Sequence, residues 1–299
     1  MKPTRPQTGP PGEQMRISVI IPTKNRAQQL QRVVQQILAQ KYGDVEIIVC
    51  DGGSEDGTVE LLKTYGSGLR WISERDSGEY FARNKGLLMA TGDLIKYMSD
   101  DDVMEPGAFA YAASWFSEHP ETDILFNQAL WFYEEPDGSL TLYDSRPRTA
   151  RSITLKNFVC GGAPHVASES VFFRRRIIDA IGVFDTNFLF ADSEYWARAA
   201  AKGLTLSISD RFVVHHCKSR ISGVERRRIT GVWEKWKLVR KHGTLWNLVD
   251  VVLWKIPTGT LIPLSYRWLP AASSLKLRKW IWQRRGWARS PQGQQQVDS

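Results

Sequence analysis

Three consecutive aspartates, Asp100, Asp101 and Asp102, are the residues of this sequence whose type and spacing point most clearly to chemistry. Adjacent carboxylates repel one another unless a cation or a set of hydrogen-bond donors neutralises them. Mg²⁺ and Mn²⁺ bind one or two carboxylates together with phosphate oxygens and water. The cluster therefore favours a divalent-cation site, and a solvated acidic turn is the alternative.

Two further aspartates, Asp51 and Asp76, lie at or near the ends of predicted strands. In an open parallel sheet, ligands bind beyond the carboxyl ends of the strands. Each aspartate alone also has a structural explanation, because Asp is common in turns and at helix N-termini. Their shared position at strand ends nevertheless makes a common binding edge the prediction.

The elements that must position these carboxylates alternate between strands and helices. The β-branched run Ile17–Ile21 is typical of a strand buried on both faces, and apolar residues from Leu30 to Leu38 recur at helical spacing. A second strand at 46–50 then predicts a right-handed parallel crossover. Further strands are predicted at 70–73, 93–98, 123–134, 170–174 and 204–214, and further helices at 58–65, 79–90, 107–118 and 193–202. The pattern predicts an α/β fold with a mostly parallel open sheet flanked by helices.

Composition and charge divide the chain into three parts. Hydrophobic residues make up 42% and charged residues 24% of the 299, which is ordinary for a globular protein. We predict a disordered leader at 1–14 without an apolar signal core, a catalytic domain at 15–218, and a helical basic appendage at 219–299. The three cysteines show no CxxC spacing, which favours a reduced, cytoplasmic setting over a disulfide framework or a zinc site.

The segment 219–299 carries 16 Lys/Arg against 4 Asp/Glu, a balance of +12, whereas the first 218 residues carry 24 against 28, or −4. It also holds eight of the twelve tryptophans. Tryptophan beside Lys and Arg, as in 275–287, is typical of a segment that lies on an anionic membrane surface. An ordinary helical subdomain with a basic exterior is the alternative, and no recognition module indicates nucleic-acid binding.

Four motifs, in order, resemble the family 2 inverting glycosyltransferases, which have the GT-A fold. The first two are Pro22-Thr23-x-Asn25-Arg26 and Val49-x-Asp51-Gly52-Gly53-Ser54-x-Asp56-Gly57-Thr58. The third is Asp76-Ser77-Gly78-x-Tyr80-x-Ala82-x-Asn84-Lys85-Gly86, and the fourth is Ala90-Thr91-Gly92-Asp93 with the aspartate cluster. One such motif would be a weak signal, but four with consistent spacing are specific.

The resemblance implies transfer of a sugar from a nucleotide diphosphate donor, with UDP favoured, to a hydroxyl of a glycan or lipid-linked acceptor, assisted by Mg²⁺ or Mn²⁺. It implies donor binding by Pro22, Thr23, Asn25, Asp51, Asp76, Asn84, Lys85, Asp100 and Asp101. It implies metal binding by Asp102, Asp100 and His216. Many relatives have Asn-Ser-Asp-Asp where this chain has Ser99-Asp100-Asp101-Asp102, so the division of roles between Asp100 and Asp101 stays open. Whether His215 or His216 faces the site is open too, because alternation sends them to opposite faces.

Asp192 matches the position that serves as general base in such relatives. An inverting transfer is a single displacement, so a base must remove the proton of the acceptor hydroxyl. Glu194 is the competing candidate, and a helix cap is the structural alternative for Asp192. On the acceptor side we expect His165, Glu194 and Trp196, although His165 fits a loop histidine bonded to the backbone equally well. The segment 144–165 has the character of a lid or binding loop.

The leading hypothesis is therefore a metal-dependent glycosyltransferase, peripheral on the inner face of a membrane, with a role in polysaccharide or lipid-linked glycan synthesis. A non-catalytic membrane-surface protein on a degenerate transferase fold is the alternative. A sugar nucleotidyltransferase would normally show a Gly-rich phosphate loop after its first strand, where this chain has Pro22-Thr23-Lys24-Asn25.

Overall fold

The computed structural model describes residues 14–135, 139–144, 155, 167–219, 234 and 236–243. The predicted leader, nearly all of the predicted lid at 144–165 including His165, and the Trp-rich segment 275–287 lie outside these residues.

The described residues form the predicted strands and helices in the predicted order, together with three short elements that were not predicted, at 103–104, 140–144 and 176–181. The strands are β1 Ile17–Thr23, β2 Val45–Asp51, β3 Arg70–Ser73, β4 Leu94–Tyr97, β5 Val103–Met104, β6 Ile124–Glu134, β7 Leu140–Asp144, β8 Val171–Arg174 and β9 Leu206–Ser219. The helices are α1 Ala27–Ala39, α2 Thr58–Thr64, α3 Glu79–Met89, α4 Ala108–Glu118, α5 Arg176–Ile181 and α6 Ala191–Ala201. Short 3₁₀ turns occur at Gly66–Gly68 and Ser168–Ser170, and residues 236–242 are helical. Within the described part of the chain, none of the helices has the length and apolarity needed to cross a bilayer.

All the strands belong to one sheet with the order β3-β2-β1-β4-β8-β6-β9-β5, and β7 pairs with β6. Strands β1 to β4 are mutually parallel, and β6 and β9 run in the same direction, whereas β5, β7 and β8 run opposite. The predicted mostly parallel α/β sheet is confirmed, as a mixed sheet.

The direction of strand β8 determines which residues lie at the carboxyl ends of the parallel strands. It lies between β4 and β6, and its register pairs Lys96 with Phe172 and Leu94 with Arg174. Because β8 runs opposite to β4, the turn that precedes β8 lies beyond the carboxyl end of β4. That edge is where ligands bind in open α/β sheets.

Strand β9 continues to Ser219, past the predicted end at 214. The prediction that the final strand ends before His215 and His216 was wrong. Both histidines interrupt the apolar pattern, but their backbones pair with β6, and His215 also pairs with β5. A strand in the middle of a sheet can therefore carry polar side chains to its end.

Two apolar cores cover the two faces of the sheet. Ile17, Val19 and Ile21 of β1 pack with helices α1 and α4 on one face. On the other face Ile20 packs with α3, α5 and α6. The alternation of β1 between the two cores is the period of two expected for a strand buried on both faces.

The motif residues Thr91 and Gly92 contribute to the fold through Glu46. The buried Glu46 carboxylate accepts hydrogen bonds from the Thr91 N–H (2.6 Å) and the Gly92 N–H (3.1 Å) and one from Ser18 Oγ (2.5 Å). Burial alone would raise the pKa of Glu46, but these donors and Arg70 lower it to about 2. The ionised carboxylate thus joins the starts of β1, β2 and β4.

Candidate active site

Asp102, Glu169 and His216 form an acid–imidazole cluster at the carboxyl edge. One ligand atom of each residue lies within 4.8 Å of the others. The His216 Nδ1 atom is 3.2 Å from Asp102 Oδ2 and 3.9 Å from Glu169 Oε2. Asp102 follows β4, Glu169 lies in the turn before β8, and His216 lies in β9, so three separate elements build the cluster.

Burial raises the pKa of both carboxylates of the cluster and neighbouring positive charges lower it, but the balance differs between the two. Burial raises the pKa of Asp102, and His216 opposes the rise. Burial would also raise the pKa of Glu169, but Arg83 and His216 outweigh it and lower that pKa. The pKa of Asp102 is thus raised and that of Glu169 lowered, and both carboxylates are buried in a site with little access to water.

The donor set fits a divalent cation such as Mn²⁺ or Mg²⁺. Two carboxylates and one imidazole are suitable ligands, and Mn²⁺ accepts such a mixture of oxygen and nitrogen. The Cys217 N–H donates to Asp102 Oδ1 at 2.9 Å, which fixes the orientation of that carboxylate.

Asp100 and Asp101 lie apart from this cluster. Thr23 Oγ1 and Arg26 each donate to Asp100 at 2.9 Å, and Arg26 also contacts Asp101 at 3.1 Å. Among the described residues, the cluster whose side chains are close enough together to hold a metal contains Asp102 without Asp100, whereas both had been expected as ligands. The cause is a turn at 100–101, which directs Asp100 back toward the end of β1 while Asp102 reaches β9.

The first two motifs, which contain several of the residues predicted to bind the sugar donor, are joined by hydrogen bonds through Ser54 and Glu55. Asn25, which has a positive φ of 54°, accepts from the Glu55 N–H at 2.8 Å and donates its own N–H to Ser54 Oγ at 2.7 Å. The fully buried Asp51 accepts from the Ser54 N–H at 3.0 Å and from Ser73 Oγ at 2.6 Å. Pro22 and Thr23 end β1 beside Cys50 and Asp51. These contacts bring the loops after β1 and β2 together at the carboxyl edge.

Asp76 and Lys85 lie next to this pair of loops. Lys85 Nζ is 3.5 Å from Asp76 Oδ2 and 3.1 Å from Glu74 Oε1. A Cβ atom added to Gly52 would lie 3.3 Å from Asp76 Oδ1, which shows how closely Asp76 approaches the end of β2.

Asn84 has a different environment from the one expected of a diphosphate ligand. Its side chain accepts from the Phe184 N–H at 2.9 Å and donates to the Phe184 carbonyl at 3.0 Å. Both ends of the amide are therefore used to hold α3 against the chain around Phe184.

Asp192 is the second residue of α6, which starts at Ala191. The alternative that Asp192 is the N-cap of this helix is therefore wrong, because Phe190 holds that position. Its half-buried carboxylate accepts from Ser168 Oγ at 2.7 Å and from the Ser193 N–H at 2.7 Å. Tyr80 lies beside it, and burial, followed by the negative charge of Asp192, raises the pKa of that phenol.

Glu194 and Trp196 are in the core, not at an open acceptor side. Glu194 is fully buried and contacts His242 at 2.8 Å, Arg198 at 2.9 Å and Lys241 at 3.0 Å. Trp196 packs against Phe126 on one face of the sheet. Helix α6 is buried on most of its sides, since Tyr195, Ala197 and Ala199 are buried as well.

Glu169, Arg83 and Lys96 are buried charged residues that sequence reasoning missed. Arg83 donates to Glu169 Oε1 at 2.6 Å and forms a second ion pair with Glu79. Lys96 Nζ is fully buried in β4 and has no hydrogen-bond partner among the described residues. Burial lowers the pKa of Lys96 to about 7, against the influence of Glu169 and Asp102. The sequence did contain a signal for two of them, since Lys96 lies inside and Glu169 next to a short apolar strand. Charged residues are rarely buried unless they are paired or functional.

Residues 18–182, which are 165 of the 299, match the family model described as Glycosyl transferase family 2. A PGL/p-HBAD biosynthesis glycosyltransferase of Mycobacterium bovis is 27% identical over 184 residues, covering 60% of this chain and 67% of the relative. An "uncharacterized glycosyltransferase" of Mycobacterium tuberculosis is 35% identical over 190 residues, covering 62% and 68%.

Two solved structures share the fold. One is residues 1–349 of S. aureus TarS in complex with UDP-GlcNAc, with a TM-score of 0.59, 17% identity, and coverage of 80% of this chain and 72% of that one. The other is the mannosyltransferase PcManGT from Pyrobaculum calidifontis in complex with GDP-Man and Mn²⁺, with a TM-score of 0.61, 18% identity, and coverage of 91% and 81%. With the sheet, the motif order and the family model in agreement, the chain belongs to glycosyl transferase family 2.

Proposed function

We propose that this protein is an inverting glycosyltransferase that moves a hexose from a nucleotide diphosphate donor to a hydroxyl of a glycan or lipid-linked acceptor. The observation that carries the proposal is the turn Ser168–Ser170. Its Glu169 belongs to the acid–imidazole cluster, and its Ser168 donates to Asp192. One short turn therefore contacts both the cluster suited to a diphosphate-bound cation and Asp192, the carboxylate suited to proton removal.

The donor side rests on the loops after β1 and β2. Asp51, Asn25 and Ser54 form one hydrogen-bonded network next to Asp76. Family membership supports a nucleotide sugar as the ligand, and the two similar structures contain one uridine and one guanosine donor. We favour UDP as the nucleotide of the donor, which the calorimetric titration with three nucleotides tests directly.

Asp102, Glu169 and His216 would hold the divalent cation. When bound, Mn²⁺ or Mg²⁺ supplies positive charge that stabilises the departing diphosphate. The protein contributes the fixed orientation of the ligands, through the Cys217 N–H on Asp102 and Arg83 on Glu169.

Asp192 would remove the proton of the acceptor hydroxyl while the diphosphate leaves on the opposite face. A positioned general base typically accelerates a reaction by about 10²–10⁴-fold. Asp192 has the exposure for this role, being half-buried, whereas Glu194 is fully buried in ion pairs. The proton would reside on the Asp192 carboxyl after the displacement.

The location we propose is cytoplasmic and peripheral on a membrane. Support comes from the basic, Trp-rich composition of 219–299, which would dock on anionic lipid and bring a lipid-linked acceptor near the site.

Calorimetric titration with UDP, GDP and dTDP, each with and without Mn²⁺, tests the donor site. We expect one nucleotide to bind in a Mn²⁺-dependent manner, and Asp102→Asn to weaken that binding at least tenfold. The asparagine keeps the shape of the side chain and its acceptor for the Cys217 N–H, so the fold should persist.

Asp44→Asn is the matched control, because Asp44 lies before β2 at the opposite edge of the sheet and its side chain is half exposed. It should leave nucleotide binding unchanged. Failure of the wild-type protein to bind any of the three nucleotides with Mn²⁺ would contradict the transferase proposal.

A further inference from the structure

Ser168 is a buried hydroxyl next to the candidate general base. It is 4% exposed, and its Oγ atom donates to Asp192 Oδ2 at 2.7 Å. The other Asp192 oxygen accepts from the N–H of the next residue, Ser193, at 2.7 Å. Among the described side chains, Ser168 is therefore the one from another element that fixes the rotation of this carboxylate.

The turn that carries Ser168 is held firmly. Both the N–H and the Oγ of Ser170 donate to the Ala167 carbonyl, at 2.9 and 2.8 Å, and all three residues of the turn are buried. On the next residue, Glu169, Arg83 donates to Oε1 at 2.6 Å. Directly after the turn, β8 pairs with β4 and β6. The Ser168 hydroxyl is thus at a position set by the sheet and by the acid–imidazole cluster.

Orientation matters for a base, because proton transfer requires the carboxylate oxygen within hydrogen-bond reach of the acceptor hydroxyl. A carboxylate held only by its own helix can rotate away from this orientation. A hydrogen bond to a charged group is also among the stronger ones in proteins.

We propose that Ser168 is a positioning residue, which holds Asp192 in the orientation that receives the acceptor proton. The inference rests on the proposed function of Asp192 as the general base. Ser168 itself would touch neither donor nor cation, so its contribution should pass entirely through Asp192.

The test compares single and double variants in nucleotide release from UDP-glucose, UDP-GlcNAc and GDP-mannose with Mn²⁺, using water or an added acceptor sugar. Ser168→Ala should lower kcat about 10- to 100-fold, the range for losing a hydrogen bond to a charged group. The affinity for the nucleotide with Mn²⁺, measured by calorimetry, should stay within about twofold, because the donor side is untouched. Ser168→Thr keeps the hydroxyl and should restore most of the rate.

Ser170→Ala is the matched control. It removes a buried hydroxyl from the same turn, but that hydroxyl bonds the Ala167 carbonyl and not Asp192. It should change the denaturation midpoint without the selective loss of kcat. An equal loss of kcat in Ser170→Ala and Ser168→Ala would overturn the proposal in favour of a general disturbance of the turn.

The decisive comparison is Ser168→Ala in an Asp192→Ala background. If Ser168 acts through Asp192, the second change should lower the residual rate no further. A further tenfold loss there would contradict the positioning role. The same experiment separates the positioning role of Ser168 from the general-base role of Asp192. If Asp192→Ala leaves the wild-type rate unchanged, Asp192 is not the general base. If the wild-type protein releases nucleotide from none of the three donors, both the proposed function and the positioning role of Ser168 are contradicted.

Discussion

Glu169 is the residue at which the two parts of the candidate site meet. One of its oxygens accepts from Arg83, and the other faces His216 at 3.9 Å. In the acid–imidazole cluster it stands beside Asp102 and His216, where Asp100 had been expected. Asp100 instead forms an ion pair with Arg26 and accepts a hydrogen bond from Thr23, so Asp100 and Asp102 have different partners.

Lys96 is a second residue with an unusual environment, because its ammonium group is buried without a hydrogen-bond partner among the described residues. It is fully buried, and its ammonium group lies 5.1 Å from the centre of the Phe172 ring. Burying an ammonium group without hydrogen bonds is costly, and the protein responds with a lowered pKa, about 7.

The low pKa of Lys96 predicts a pH dependence of stability. In the unfolded chain the lysine pKa is about 10.4, so between about pH 7 and 10 the unfolded state binds more protons than the folded state. Stability should therefore rise with pH across this window, by about 2 kcal/mol between pH 7 and 9. Below about pH 7 both states are protonated and the contribution of Lys96 is constant.

Urea denaturation of the wild type and Lys96→Met at pH 7 and 9 measures this effect. The free energy of unfolding should rise with pH more steeply in the wild type than in the variant. Lys63→Met, which removes an exposed lysine, should keep the wild-type slope. Parallel slopes for the wild type and Lys96→Met would show that Lys96 does not titrate in this window.

At the scale of elements, the contact between α3 and the sheet positions both Arg83 and Lys85. Gly86 lies on the inner side of the helix, where an added Cβ would overlap Ile20 Cγ2 and lie 3.3 Å from Cys50 Sγ. The motif glycine is thus required for close packing of α3 on β1 and β2.

Gly86→Ala should destabilise the protein by about 1–3 kcal/mol, the usual cost of overpacking, despite the better helix propensity of alanine. Gly68→Ala is the control, since a Cβ at Gly68 meets no atom within 4 Å. Denaturant midpoints of the two variants give the comparison. Equal midpoints would mean that α3 moves away from the sheet at little cost.

In the molecule as a whole, the helical residues 236–242, which come after β9 in the chain, pack on the domain. Leu238 belongs to the same core as Tyr195 and Phe184, and Lys241 and His242 contact the buried Glu194. Burial would raise the pKa of Glu194, but the hydrogen bonds from His242 and Lys241 outweigh it and lower that pKa. The predicted domain boundary at 218 stays a prediction, with at least this helical stretch contributing to the core.

Leu238→Ala should cost about 2–4 kcal/mol of unfolding free energy, because it removes a buried side chain from that core. The same substitution at Leu88, which is 75% exposed, should change stability by less than about 0.5 kcal/mol. Urea unfolding curves of the two variants test the difference. Similar small effects at both positions would indicate that residues 236–242 add little to the stability of the domain.

The sequence by itself determined the order of the longer strands and helices, the parallel crossover at the start, and the family. These depend on local patterns: apolar runs such as Ile17–Ile21, helical spacing, and motif residues close together in the chain. It also indicated Asp102, His216 and Asp192 as the residues on which the proposed chemistry rests. Only the tertiary structure decided which of these groups meet. Asp102 and His216 are 114 residues apart, and Glu169 joins them because β8 enters the sheet in reverse between β4 and β6. Strand order and register depend on contacts between distant segments, and no local pattern of residues encodes them.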